Sequence, residues 1–169
     1  MKLIHSVLKD LPTIMNIIGD AQRYLANLGI DQWQDGYPDE TQIKLDIKNK
    51  DSYVVLSDLE EVMGTTVFTT KTETTYQHIK GGWITNNATK HGTIHRLAVS
   101  NQYRKLGLAK FVFDECEQQL KIMKIESLRI DTHEENKGMQ HLLKQLSYTY
   151  CGVINLANGD KRLAYEKVL

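Results

Sequence analysis

Neither sign of charge predominates in this sequence: 21 Lys and Arg residues are matched by 21 Asp and Glu. A chain without a net positive field has nothing to gather counterion-coated nucleic acid or an anionic membrane surface, so neither is an expected partner. Cysteine is scarce, with Cys116 and Cys151 alone, which excludes a disulfide scaffold and predicts two reduced thiols packed as small hydrophobes. Long apolar runs are missing too. The amino-terminal MKLIHSVLKDLP is interrupted by His5, Lys9 and Asp10, a pattern of neither a secretory leader nor a membrane span, and the expected location is cytoplasmic. Low-complexity stretches are absent, and 169 residues suit one well-buried core, so residues 1–169 are expected to form a single domain.

What the chain does have is clear periodicity. Lys2 to Val7 reads as a first strand, and Asp10 can cap a helix with Pro12 in its tolerated first turn. Leu11, Ile14, Met15, Ile18, Ala21, Leu25 and Leu28 then recur at helical spacing until Gly29 supplies a left-handed stop. The turn-rich stretch Ile30 to Asp39 carries Trp33 and Tyr37 before a polar helix from about Thr41 to Lys48. Strands are expected at Tyr53–Leu56, Val62–Thr70 and Thr93–Val99, whereas Lys71 to Lys90 has no assignable pattern. A helix over Lys105–Met123 should bury Ala109, Val112, Phe113, Cys116, Leu120 and Met123 and expose Lys110, Asp114, Glu117 and Lys121. A strand at Ser127–Thr132, a helix at Asn136–Leu146 and two strands joined at Asn158-Gly159-Asp160 complete the chain. This mixed order argues for an α+β fold, a mostly antiparallel central sheet with helices on both faces, and against an alternating doubly wound one.

The chemically informative stretch is Thr93 to Lys110, TIHRLAVSNQYRKLGLAK, where a strand passes through a short polar loop into a helix. Helix starts expose unpaired N–H groups and a partial positive charge, so a phosphate can be held by main chain where small side chains permit. Gly107 and Ala109 are small, and Arg104, Lys105 and Lys110 add charge. Arg104-Lys105-Leu106-Gly107-Leu108-Ala109 resembles the pyrophosphate motif Q/R-x-x-G-x-G/A of GNAT acetyltransferases, and His95-Arg96-Leu97-Ala98-Val99 resembles that family's fourth strand. Downstream, Ile130-Asp131-Thr132, Asn136 and Leu143-Lys144-Gln145-Leu146 are similar to its fifth strand and fourth helix. The likeness is good from Thr93 to Leu169 and, before that, lies only in element order.

The resemblance implies a sheet of about six to seven strands and an N-acetyltransferase that uses acetyl-CoA as co-substrate, without a metal, to modify a small-molecule or peptide amine. The acceptor is open among polyamines, aminoglycosides, amino acids and protein termini, and homodimers are common in the family. Two family strands splay apart, and Leu97, Ala98 and Val99 would then offer main-chain groups to the pantetheine arm. The apolar phase shift between Ile94 and Leu97 suits a bulge there. The Val99 N–H would polarise the thioester carbonyl, residues Arg104 to Lys110 would hold the pyrophosphate, and Asn136 would bond the arm, cap its helix, or do both.

His95, in phase with Leu97 and Val99 by strand alternation, is the candidate base for the substrate ammonium; a plain hydrogen-bonded strand histidine is the other reading. The family's usual acid, a tyrosine seven residues after the helix-opening asparagine, would fall at Leu143, so this chain lacks it; Tyr148 reads better as packing. Trp33 and Tyr37 either line an acceptor pocket or close over the core. His133, Glu134 and Glu135 match no metal-ligand spacing and read as a solvated helix start. A non-catalytic module that binds or senses acyl-CoA is the alternative to an enzyme.

Overall fold

Two amphipathic helices follow the first strand. The structure, a computed structural model, describes residues 1–169. β1 (Lys2–His5) leads through a 3-10 turn into α1 (Leu11–Asn27), which buries Leu11, Ile14, Ile18 and Leu25 of the stripe that its periodicity marks out and Ile17 beside it, while Leu28, past the helix end, is exposed. Asp10 does not cap α1; its carboxylate accepts from the Val7 N–H instead, because the 3-10 turn intervenes. Gly29, at φ +72°, takes the left-handed stop. Asp39 caps α2 (Glu40–Lys48) by accepting from the Gln42 N–H at 2.8 Å.

β2 (Ser52–Leu56) and β3 (Val62–Thr69) are antiparallel. The stretch without a sequence pattern contains a one-turn helix, α3 (Thr74–Gln77), and a three-residue strand, β4 (Ile79–Gly81). β5 (Gly92–Val99) precedes α4 (Leu108–Ile122), β6 (Ser127–Thr132), α5 (Lys137–Gln145), β7 (Thr149–Asn155) and β8 (Lys161–Val168). The sheet is mixed and has eight strands, in the order β1-β2-β3-β5-β6-β8-β7-β4. β4 takes the count past the six to seven expected. β1–β2, β2–β3, β4–β7, β6–β8 and β7–β8 pair antiparallel, and β5–β6 pairs parallel.

Two compact units are present, Met1–Phe68 with His95–Glu115, and Thr69–Ile94 with Cys116–Leu169. In the first, Leu11, Ile14, Ile18, Ile43 and Val54 form a core in which α1 and α2 cover β2. In the second, Tyr76, Trp83, Cys151, Ile154 and Ala164 form another. There β4 lies so close to β7 that a Cβ on Gly81 or Gly152 would collide with the opposing backbone. Along α4, Val112, Phe113, Cys116 and Leu120 are buried as their spacing predicts, but Met123 is exposed beyond the helix end. Glu117, expected on the solvent face, is buried: the Lys167 ammonium donates to both its oxygens at 2.8 Å and the Tyr148 hydroxyl to one.

Candidate active site

β5 lies between β3 and β6 and is in register with β6 over only part of its length. Its register with β6 holds three pairs, Gly92–Leu128, Thr93–Arg129 and Ile94–Ile130, and ends there, although β5 runs on to Val99. Two residues later Arg96 stands at φ +50°, a left-handed conformation inside a strand. A non-glycine residue held there costs on the order of 1–3 kcal/mol and persists only where its surroundings over-determine it. The kink falls where the apolar phase of the strand shifts, between Ile94 and Leu97. It also breaks strand alternation between His95 and Leu97, so alternation alone does not put His95 on the face of Leu97 and Val99.

Beyond the kink, Ala98 is buried against β3: a Cβ on Gly64 would lie 3.0 Å from its carbonyl oxygen, so glycine permits the close approach. The Ser100 N–H donates to Met63 O at 2.9 Å and closes the strand end. A 3-10 turn, Asn101–Tyr103, then leads into a loop in which Lys105 (φ +64°) and Gly107 (φ +77°) are both left-handed. Such residues cannot continue a right-handed helix, so α4 starts at Leu108 and not at Lys105 as its periodicity suggests. Arg104, Lys105, Leu106 and Gly107 are exposed, and nothing lies within 4 Å of where a Gly107 Cβ would stand. The result is an open turn carrying the Arg104 and Lys105 charges at the start of α4, the end at which a helix leaves N–H groups without an intrahelical partner and favours an anion. The Arg104 guanidinium rests over the Tyr24 ring of α1 at 3.8 Å, and Lys110 pairs with Asp114 one turn on.

Trp33 and Tyr37 lie on the α1–α2 loop, Trp33 half-buried and Tyr37 exposed. Gln22 of α1 fixes this loop by donating to Tyr37 O at 3.1 Å, and the Tyr37 hydroxyl accepts from the Arg96 guanidinium. The other side of that guanidinium meets Asp46 of α2, Nη2 to Oδ1 at 2.9 Å, with Gln42 Nε2 donating to the same oxygen at 2.9 Å. Burial pushes the Asp46 carboxyl above the ordinary aspartate range, against the pull of Arg96. Arg96 and Asp46 are the residues that sequence reasoning missed. The available signal was an acid at Asp46, three residues from the buried Ile43 on the inward face of α2.

Asn136 is the N-cap of α5, its Oδ1 accepting from the Met139 N–H at 3.1 Å. Leu143 is fully buried, and the Tyr148 hydroxyl is engaged by Glu117, so neither offers a proton donor to solvent. Both thiols are buried and unbridged, and burial pushes that of Cys151 up, which argues against a cysteine nucleophile. At α5, His133 Nδ1 accepts from the Glu135 N–H, a turn contact, and no group of His, Cys, Asp and Glu side chains is arranged to hold a metal ion. No helix is long and apolar enough to cross a membrane.

Residues 13–148 match the Acetyltransferase (GNAT) family. Among solved structures, a GNAT-family acetyltransferase from Streptococcus agalactiae is 35% identical over 99% of this chain and 95% of its own, with a TM-score of 0.88. At the level of fold alone, a ribosomal-protein-alanine N-acetyltransferase from Brucella melitensis is similar at 16% identity, with full coverage of both chains and a TM-score of 0.69. So is the PaiA N-acetyltransferase from Thermoplasma acidophilum in complex with coenzyme A, at 14% identity over 99% of this chain and 98% of that one, with a TM-score of 0.70. No curated protein matches. Together with a kinked strand that runs through an open left-handed turn into a helix start, the family match and the 35% identical relative establish that this chain belongs to the GNAT acetyltransferases.

Proposed function

We propose that the chain transfers an acetyl group from acetyl-CoA to a primary amine by direct attack within a ternary complex, in the cytoplasm and without a metal. The observation that carries this reading is the continuous run from the end of the β6 register at Ile94, through the Arg96 kink, to the open turn before α4. Leu97, Ala98 and Val99 would present main-chain groups to the pantetheine arm. Arg104, Lys105, Leu106, Gly107, Leu108, Ala109 and Lys110 would receive the pyrophosphate, and Asn136 would add a bond beside its capping one. The co-substrate supplies an activated thioester.

The Val99 N–H is suited to stabilise negative charge on the acyl oxygen, and His95 to take the proton of the incoming ammonium. With an isobutyl group at Leu143, the departing thiolate draws its proton from water. Binding both reactants in the right orientation can lower the barrier by roughly 7–11 kcal/mol, so the missing tyrosine does not remove the activity. Trp33 and Tyr37 would flank the acceptor, whose class is left open among polyamines, aminoglycosides, amino acids and peptide termini.

Calorimetric titration with acetyl-CoA, followed by thiol-release assays over an amine panel, tests the reading. Binding and turnover with at least one amine are expected. Turnover excludes a module that only senses acyl-CoA, and absence of any acetyl-CoA binding would overturn the proposal.

A further inference from the structure

A left-handed arginine in a strand needs something to hold it, and the first unit supplies that from two directions. Asp46, on the inward face of α2, takes one arm of the guanidinium, and the Tyr37 hydroxyl takes the other, with the guanidinium carbon 5.8 Å from the Tyr37 ring centre. The preceding peptide is fixed separately, by the Thr66 hydroxyl donating to His95 O at 3.2 Å. Stability does not explain the arrangement. A buried ion pair often contributes less than apolar residues of the same volume would. This one is also imperfectly satisfied, since Asp46 Oδ2 and Arg96 Nε are buried without hydrogen-bond partners. Its geometrical effect is definite: it ties α2 and the Tyr37 loop to the one residue at which β5 bends.

We propose that Asp46 is a positioning residue for acetyl-CoA: through Arg96 it holds the β5 kink, and the kink sets the course of the Leu97–Val99 backbone that receives the pantetheine arm. The inference rests on the reading of Leu97–Val99 as the arm-binding segment. Asp46 touches neither substrate. Loss of its charge frees the guanidinium, lets Arg96 relax toward ordinary strand geometry, and moves the amides that follow it.

A thermodynamic cycle read by calorimetric titration with acetyl-CoA tests this. Glycine adopts φ > 0 without a Cβ penalty, so Arg96→Gly keeps the kink available without the clamp. Asp46→Asn alone should weaken acetyl-CoA binding about tenfold, whereas in the Arg96→Gly background it should change affinity less than about threefold, a coupling typical of residues in direct contact. The double variant leaves neither charge buried and should bind within about threefold of wild type. Tyr37→Phe, which removes the second contact from an exposed loop, should give a smaller loss that also vanishes in the Arg96→Gly background. It keeps the cycle readable should Asp46→Asn fail to fold. Wild-type affinity in folded Asp46→Asn, or the same loss in both backgrounds, would overturn the proposal while leaving the acetyl-CoA reading intact. No binding by the wild type would remove both.

Discussion

Gly107 is the residue where conformation and chemistry can be separated by substitution. Its φ of +77° favours glycine, yet a Cβ there meets no neighbour within 4 Å. Gly107→Ala therefore incurs only the left-handed penalty, on the order of 1–2 kcal/mol, and should keep most of its acetyl-CoA affinity. Gly107→Glu carries the same strain and adds an anion at the helix start, so its binding should be lost. Denaturant melts and calorimetry on the pair give the two readouts, and equal affinities would take the turn out of the site. His95 calls for a kinetic test. His95→Ala should lower turnover on the order of 10²–10⁴-fold with acetyl-CoA affinity little changed; a wild-type rate would assign His95 to the strand alone.

At the scale of elements, the second unit shows what burial does to a polar segment. Glu166 of β8 is fully buried and accepts from the Arg129 Nε at 3.1 Å, from the Ser127 hydroxyl, and from the N–H and hydroxyl of Thr85. Arg129 lies over the Trp83 ring at 4.2 Å, and Trp83 stacks on Tyr76 at 5.4 Å. One carboxylate thus anchors the loop after β4. Glu166→Gln would leave Arg129 buried without its counter-charge, and a loss of about 3–5 kcal/mol is expected in urea unfolding. This network also explains why residues 71–90 resist sequence reading: they look like a polar loop, and what orders them is distant, Glu166 being 81 positions from Thr85. By contrast, α1 and the turn before α4 are legible because their causes are local: an apolar stripe, a stop glycine, small residues at a helix start. Asp46 and Arg96 fall between these cases. They are 50 positions apart, and only a phase shift in β5 and an acid on a core face hint at them.

Across the whole molecule, the two buried carboxylates Asp46 and Glu166 should give opposite pH dependences. Burial would push Glu166 up, but hydrogen bonds from Ser127, Thr85 and Arg129 outweigh it and hold the group below the ordinary glutamate value of 4.5. Its unfolded form binds protons more readily, so its contribution is present above 4.5 and is lost as pH falls through the lower folded value. Asp46 runs the other way. Burial raises it above the ordinary 3.8, and Asp51 adds to this, while Arg96 and Gln42 only partly offset it. The folded state then holds the proton more tightly, and stability declines as pH rises from 3.8 through the folded value. Urea melts of wild type, Glu166→Gln and Asp46→Asn between about pH 3 and 7 separate the two. The wild type should gain stability over Glu166→Gln as pH rises, and lose stability relative to Asp46→Asn over the same range. A positive slope for both would mean that Arg96 stabilises the Asp46 carboxylate more than burial penalises it, and the pair would then be a stabilising contact. A negative slope for Asp46 means the chain keeps an ionised carboxylate under the β5 kink at a cost in stability, as expected of a group retained for the geometry it imposes.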